Sequence, residues 1–125
     1  MKTSRTPEIQ EAFRSQFSVI GEKSQVQAVI VGIESHICVT QTTLDLLHEG
    51  HKVYVLADGV SSCNKEEVPI ALARLRSEGA IVTTSESFLY ECMGDAGIEE
   101  FRAVSKLVRE HKDSTKEAMQ TLCKI

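Results

Sequence analysis

Residues 26–50, VQAVIVGIESHICVTQTTLDLLHEG, constrain the fold more than any other part of the chain. The first eight are almost wholly apolar and β-branched, a pattern expected of a strand buried on both faces. A polar turn follows, Glu34-Ser35-His36. From about Cys38 a helical pattern begins, and Gly50 stands where a helix closes in left-handed backbone. Val39, Thr42, Leu46 and Leu47 fall near one face of that helix; Asp45, His48 and Glu49 are expected to look outward. A cysteine in the first turn of a helix, just past the carboxyl end of a buried strand, occupies the edge where open α/β sheets hold their chemistry.

The rest of the chain extends this unit. HKVYVLAD reads as a second strand with Ala57-Asp58-Gly59 as its turn, and AIVTT as a third. Between them, Val68, Ala71, Leu72 and Leu75 make the inner face of a helix running to Gly79. Asn64 with Glu67 resembles a capping box, but Pro69 places the regular start of this helix near Val68. Upstream, Thr6 caps a helix from Pro7 with Ile9, Phe13 and Phe17 at helical spacing, and a polar link follows. Downstream, Ser85 caps a short helix through Phe88, Leu89 and Met93. A further helix covers about 98–111, and Ser114 with Glu117 opens a last one. Strand, helix, strand, helix, strand with short links is a βαβαβ unit, so right-handed crossovers give an α/β fold with a parallel sheet and flanking helices. All three strands then end on the side holding Cys38, Asp58 and Thr84. The expected divisions are 1–25, a helix and linker; 26–112, the sheet-bearing domain; and 113–125, a C-terminal helix.

Composition narrows the partners. Fourteen basic against eighteen acidic residues leave a net charge of −4 with no basic stripe, which disfavours nucleic acid and anionic membrane. No apolar run approaches the ~20 residues that span a bilayer. The N-terminal ten residues lack the apolar core of a secretory signal. The cysteines at 38, 63, 92 and 123 have neither C-x-x-C pairing nor metal-ligand spacing. Free thiols in the cytosol, with no metal and no cofactor, are the expectation.

Alone, Cys38 reads first as an inert, packed core thiol, since free cysteine is among the most buried residue types. A helix N-terminus favours the thiolate, and the preceding turn can aim backbone N–H groups at an oxyanion. The motif Gly32-Ile33-Glu34-Ser35-His36-Ile37-Cys38-Val39, followed by Thr42-Thr43-Leu44-Asp45-Leu46, resembles the signature of the isochorismatase-like cysteine hydrolases, most nearly the eukaryotic isochorismatase domain-containing proteins. The similarity continues through 57–62, 71–75 and 82–86. It implies a Rossmann-like six-stranded parallel sheet of order 3-2-1-4-5-6, of which this chain carries about three strands, the second half. It further implies Cys38 as nucleophile, a cis peptide between Ile33 and Glu34, and an oxyanion hole from the backbone N–H groups of Glu34 and Cys38.

Other parts of the family pattern are missing. The family's general base, an aspartate on the first strand in Asp-x-Gln, has no counterpart: the first aspartate here is Asp45. Lys2-Thr3-Ser4 is similar to the family's lysine stretch without its aromatic residue, which makes Lys2 a weak candidate for the catalytic lysine. The metal site of the related nicotinamidases has no counterpart either. Two readings follow: a hydrolase of small amides, esters or vinyl ethers, or a truncated, non-catalytic family member that acts by binding. In a half-fold, strand 26–33 is an apolar edge expected to pair with a partner strand or a second copy. His36 reads as a turn residue pointing away, with a Cys-His pair as the alternative. Glu34 either lines the crevice or faces water, and Asp58 either fixes its turn or touches substrate. Thr83, Thr84 and Ser85 are explained by strand exit and helix cap. The substrate is not legible.

Overall fold

The computed structural model describes residues 6–17 and 25–122. Three parallel strands, β1 (Gln27–Gly32), β2 (Lys52–Val60) and β3 (Ile81–Thr83), lie in the order β1-β2-β3. Helices α2 (Thr40–His48) and α3 (Glu67–Ser77) make the two crossovers. The chain begins with α1 (Pro7–Phe17), where Thr6 Oγ1 accepts from the Ile9 N–H as a cap. It continues after β3 through α4 (Ser85–Met93), α5 (Glu100–Glu110) and α6 (Lys112–Leu122).

The α2 and α3 side of the sheet carries the core. Register pairs Ala28 with Val53, and Ile30 with Val55 and Val82, so these side chains share one face. Leu46 from α2 and Val68, Leu72 and Leu75 from α3 close on them, all nearly inaccessible to solvent. Each such leucine contributes about 1.5–3 kcal/mol by leaving water. Pro69 falls within the first turn of α3, where its missing N–H has no intrahelical acceptor to lose. Gly50, at φ +84°, ends α2 as its position predicts.

The other face is covered unevenly. Register sets Val29, Tyr54 and Ile81 side by side. Over Tyr54 lies α4: Phe88 meets its ring edge-on at 4.9 Å, and its hydroxyl donates to Glu91 Oε1 at 3.1 Å. Tyr90 and Phe101 then join α4 to α5. Among the described residues, no such cover reaches β1. Its outer residues Val29 and Val31, and Ile33 just past its end, are 43%, 58% and 78% exposed. The expected burial of this strand on both faces is therefore corrected: only Ala28 and Ile30 turn inward. As expected of a half-fold, β1 is an edge of the three-stranded sheet.

Smaller departures have local causes. β2 does not turn at Ala57-Asp58-Gly59 but runs on to Val60, because the register shift between Ile30 and Gly32 lets Gly32 pair with Val60. Thr84, rather than Ser85, caps α4 by accepting from the Ser87 N–H at 3.3 Å. Ser114 does not cap the last helix, which has already begun at Lys112; its hydroxyl donates to the His111 carbonyl. On α2 it is Thr43, one residue past the expected Thr42, that is fully buried. Asp45 is not simply outward either, since its Oδ2 is buried without a partner. Among the described residues, no helix is long and apolar enough to cross a membrane.

Candidate active site

The site is built where β1 gives way to α2. The chain does not enter α2 directly. It makes a wide turn over Ser35–Val39, in which the Val39 N–H reaches back five residues to the Glu34 carbonyl at 3.3 Å. In an α-helix that carbonyl would take the Cys38 N–H. Here it serves the residues on either side, Ile37 N–H (3.2 Å) and Val39 N–H, and the Cys38 thiol donates to it at 3.6 Å. Cys38 is half-buried against the core. Gly32 permits this tight return, because a Cβ there would lie 2.8 Å from Val39 Cγ2.

The turn is fastened to the exit of β2. Ser61 N–H donates to the Gly32 carbonyl at 3.0 Å, and Ser35 N–H donates to the Ser61 carbonyl at 2.8 Å. Ser61 Oγ donates to the Ile33 carbonyl at 3.2 Å. The Ile33–Glu34 peptide is trans, as are all peptide bonds among the described residues. The expected cis bond is thus corrected. Without a proline nitrogen the trans form is favoured by about 3 kcal/mol, and the wide turn with its bonds to Ser61 makes the bend instead.

Glu34 and His36, each with a side chain 28% exposed, do not point away from the site edge. Both meet Ser62: its hydroxyl donates to Glu34 Oε2 at 3.3 Å and lies 3.2 Å from His36 Nδ1. Glu34 Oε2 and His36 Nδ1 are 3.8 Å apart. Sequence reasoning singled out Glu34 and His36 separately and missed Ser62 as their meeting point. The signal available was the Ser61-Ser62 pair directly after an apolar strand.

Asp58 holds the neighbouring strand exit rather than its own turn. Its Oδ1 accepts from the Ser85 N–H at 2.8 Å, and its Oδ2 accepts from Ser85 Oγ. The parallel order puts the carboxyl ends of all three strands on one edge, and these ends carry polar side chains. Lys2 lies outside the described residues. Among the described residues, no group of three or more His, Cys, Asp or Glu side chains is arranged to hold a metal ion.

Comparison with known proteins gives the family and the fold. Residues 11–87 match the family described as the isochorismatase domain. A secreted isochorismatase effector, Isc1 of Phytophthora sojae, is 46% identical over 83 residues, which are 66% of this chain and 40% of that protein. Among solved structures, the MAR1 ribonuclease of Caenorhabditis elegans superposes with a TM-score of 0.70 at 34% identity, over 85% of this chain and 50% of that one. YcaC from Pseudomonas aeruginosa, solved with hexane-2,5-diol and covalent acrylamide, gives a TM-score of 0.68 at 26% identity, over 92% of this chain and 53% of its own. The chain spans less than half the length of the curated relatives it matches.

Proposed function

This chain belongs to the isochorismatase domain family, and from that premise we propose that it carries the nucleophile half of a cysteine hydrolase site for a small amide, ester or vinyl ether. The thiolate of Cys38 adds to the electrophilic carbon. For an amide or ester, the C=O electron pair moves onto oxygen, where the backbone N–H groups of Glu34 and Cys38 receive the charge. Collapse breaks the bond to the leaving nitrogen or oxygen, which takes a proton from solvent water and departs as amine or alcohol, and the thioester left on Cys38 is then hydrolysed to the acid and the free thiol. The observation that carries this reading is the wide turn at Ser35–Val39. It leaves Cys38 half-buried at the carboxyl end of β1 and gives the Glu34 carbonyl to the Ile37 and Val39 N–H groups rather than to the Cys38 N–H, the donor an oxyanion needs.

Residues 1–25 contain no aspartate, so the family's proton acceptor has no counterpart within this chain. Adduct formation without efficient turnover is the expected behaviour of this chain. Although three structural neighbours carry the name MAR1 ribonuclease, two of them as putative, a net charge of −4 gives RNA phosphates little electrostatic footing. A small uncharged substrate in the reducing cytosol suits the site better.

Acrylamide is a direct test, since a thiolate adds to its terminal carbon and the adjacent carbon takes a proton from water. Cys63 and Cys92 are exposed and serve as internal references. An activated Cys38 is alkylated faster than either despite its burial. If it is the slowest of the three, burial alone governs it and the nucleophile reading fails.

A second reading is favoured by the uncovered β1. Val29, Val31 and Ile33 form an apolar row on an edge strand that has no charge or proline to block pairing. On this reading the chain acts by pairing strand 26–33 with a second copy or another chain, giving a homo-oligomer in the first case. Sedimentation at micromolar concentration tests self-pairing: association abolished by Val31→Lys supports it, and a monodisperse monomer refutes it.

A further inference from the structure

Ser62 Oγ has more neighbours than one hydroxyl proton can serve. It accepts from the Asn64 N–H at 3.1 Å, which occupies one lone pair. Glu34 Oε2 stands 3.3 Å away and His36 Nδ1 3.2 Å away. A carboxylate is an acceptor only, so the hydroxyl proton satisfies it only by pointing to Oε2. The contact with His36 is then attractive only if Nδ1 brings its own hydrogen to the second lone pair of Ser62 Oγ. A bare Nδ1 would compete with Glu34 for a single proton, and one of the two would lose its donor. The arrangement that satisfies every contact runs His36 Nδ1–H to Ser62 Oγ–H to Glu34 Oε2.

We propose that this proton-ordered relay positions the Glu34 peptide, and through its carbonyl the Cys38 thiol, making His36 and Ser62 positioning residues of the site. Glu34 links the two ends of the argument. Its carbonyl is the acceptor of the Cys38 thiol, while its side chain, which does not cap the turn it precedes, is turned to Ser62. Its backbone, at φ −129° and ψ 88°, lies outside the helical turn it introduces, and its side chain makes no cap bond to that turn. Ser62 belongs to the exit of β2, so the relay ties the thiol's acceptor to a neighbouring strand. The inference rests on Cys38 being the reactive group, yet the proton order itself does not.

That separation decides the experiment. In free histidine the neutral ring favours the Nε2–H tautomer, so an Nδ1–H tautomer at His36 is a specific demand of the relay. Ring 15N spectra of the full chain, taken well above the ordinary imidazole titration range, should show His36 protonated at Nδ1. A bare Nδ1 overturns the proposal, whatever Cys38 does, and this measurement needs no variant to fold. The companion measurement is the acrylamide alkylation rate of Cys38 relative to that of the exposed Cys92 on α4, away from the relay, in the same molecule. His36→Leu and Ser62→Ala should each change that ratio about tenfold. His36→Asn, whose amide nitrogen falls near the Nδ1 position and keeps a donor, should restore it to within about twofold. Ratios unchanged in folded His36→Leu and Ser62→Ala would refute positioning. A Cys38 that is inert in every form, beside an Nδ1–H His36, would instead remove the nucleophile reading and with it the positioning role, leaving only the proton order.

Discussion

Two threonines one turn apart on α2 should respond to the same substitution with opposite signs. Thr43 is fully buried and its Oγ1 has no hydrogen-bond partner. Thr40 is buried too, but its Oγ1 donates to the Ser35 carbonyl at 2.7 Å. Replacing either by valine keeps the branched shape and the helix preference nearly constant, so only the hydroxyl changes. An unsatisfied buried hydroxyl costs about 1–3 kcal/mol. Thr43→Val should therefore stabilise the fold by about 1–2 kcal/mol, discounting for imperfect shape matching. Thr40→Val forfeits a made bond and should destabilise by about 0.5–1.5 kcal/mol. The Ser35 carbonyl keeps the Thr40 N–H, so the loss stays in that range. For a chain of 125 residues, 1 kcal/mol corresponds to about 4 °C in Tm. The two variants should thus straddle the parent, one up by about 4–8 °C and the other down by about 2–6 °C. Urea unfolding with an unchanged m-value is the confirming assay. If Thr43→Val is neutral or destabilising, the hydroxyl has a partner after all and the reasoning about this helix is wrong.

Three further perturbations probe the supports of the site. Gly32→Ala drives a Cβ to 2.8 Å from Val39 Cγ2 and should cost about 1–3 kcal/mol in denaturant unfolding; Val39→Ala in the same chain should recover part of that, and simple additivity would contradict the close approach. Asp58→Ala strips the acceptor from Ser85 N–H and Oγ; a loss of about 1.5–3 kcal/mol and faster amide exchange in the first turn of α4 are expected, and unchanged exchange there would show that Asp58 does not hold that helix start. Leu72→Ala, at a 1% exposed position between α3 and the sheet, should cost about 2–5 kcal/mol by calorimetry, against less than ~0.5 kcal/mol for the exposed Ile70→Ala; equal losses would misplace the core face of α3.

Much of this architecture was written locally. Val68, Ala71, Leu72 and Leu75 recur at helical spacing whatever surrounds them, and they are the buried face of α3. Gly50 and Gly79 end their helices with positive φ because only glycine takes that backbone without strain. The alternation of strands with single helices leaves only a parallel sheet, which brings Cys38, Asp58 and Thr84 to one edge. The motif around Cys38 likewise identified the family.

What the residues could not say by themselves concerns neighbours distant in sequence. Val29, Val31 and Ile33 have the composition of buried residues, yet burial depends on what covers a face, and nothing among the described residues covers theirs. Asp58 looked like a turn residue until the register of β1 on β2 carried the strand past it and set its carboxylate against Ser85. Glu34, His36 and Ser62 come from two segments separated by a helix and a strand, and no local pattern announces that one hydroxyl will sit between a carboxylate and an imidazole. Periodicity and backbone chemistry are properties of a segment, so the sequence alone determined the elements, their order and the place of the cysteine. Hydrogen-bond partners and exposure belong to pairs of segments, so only the tertiary structure decided which groups hold that cysteine and which face of β1 is left bare.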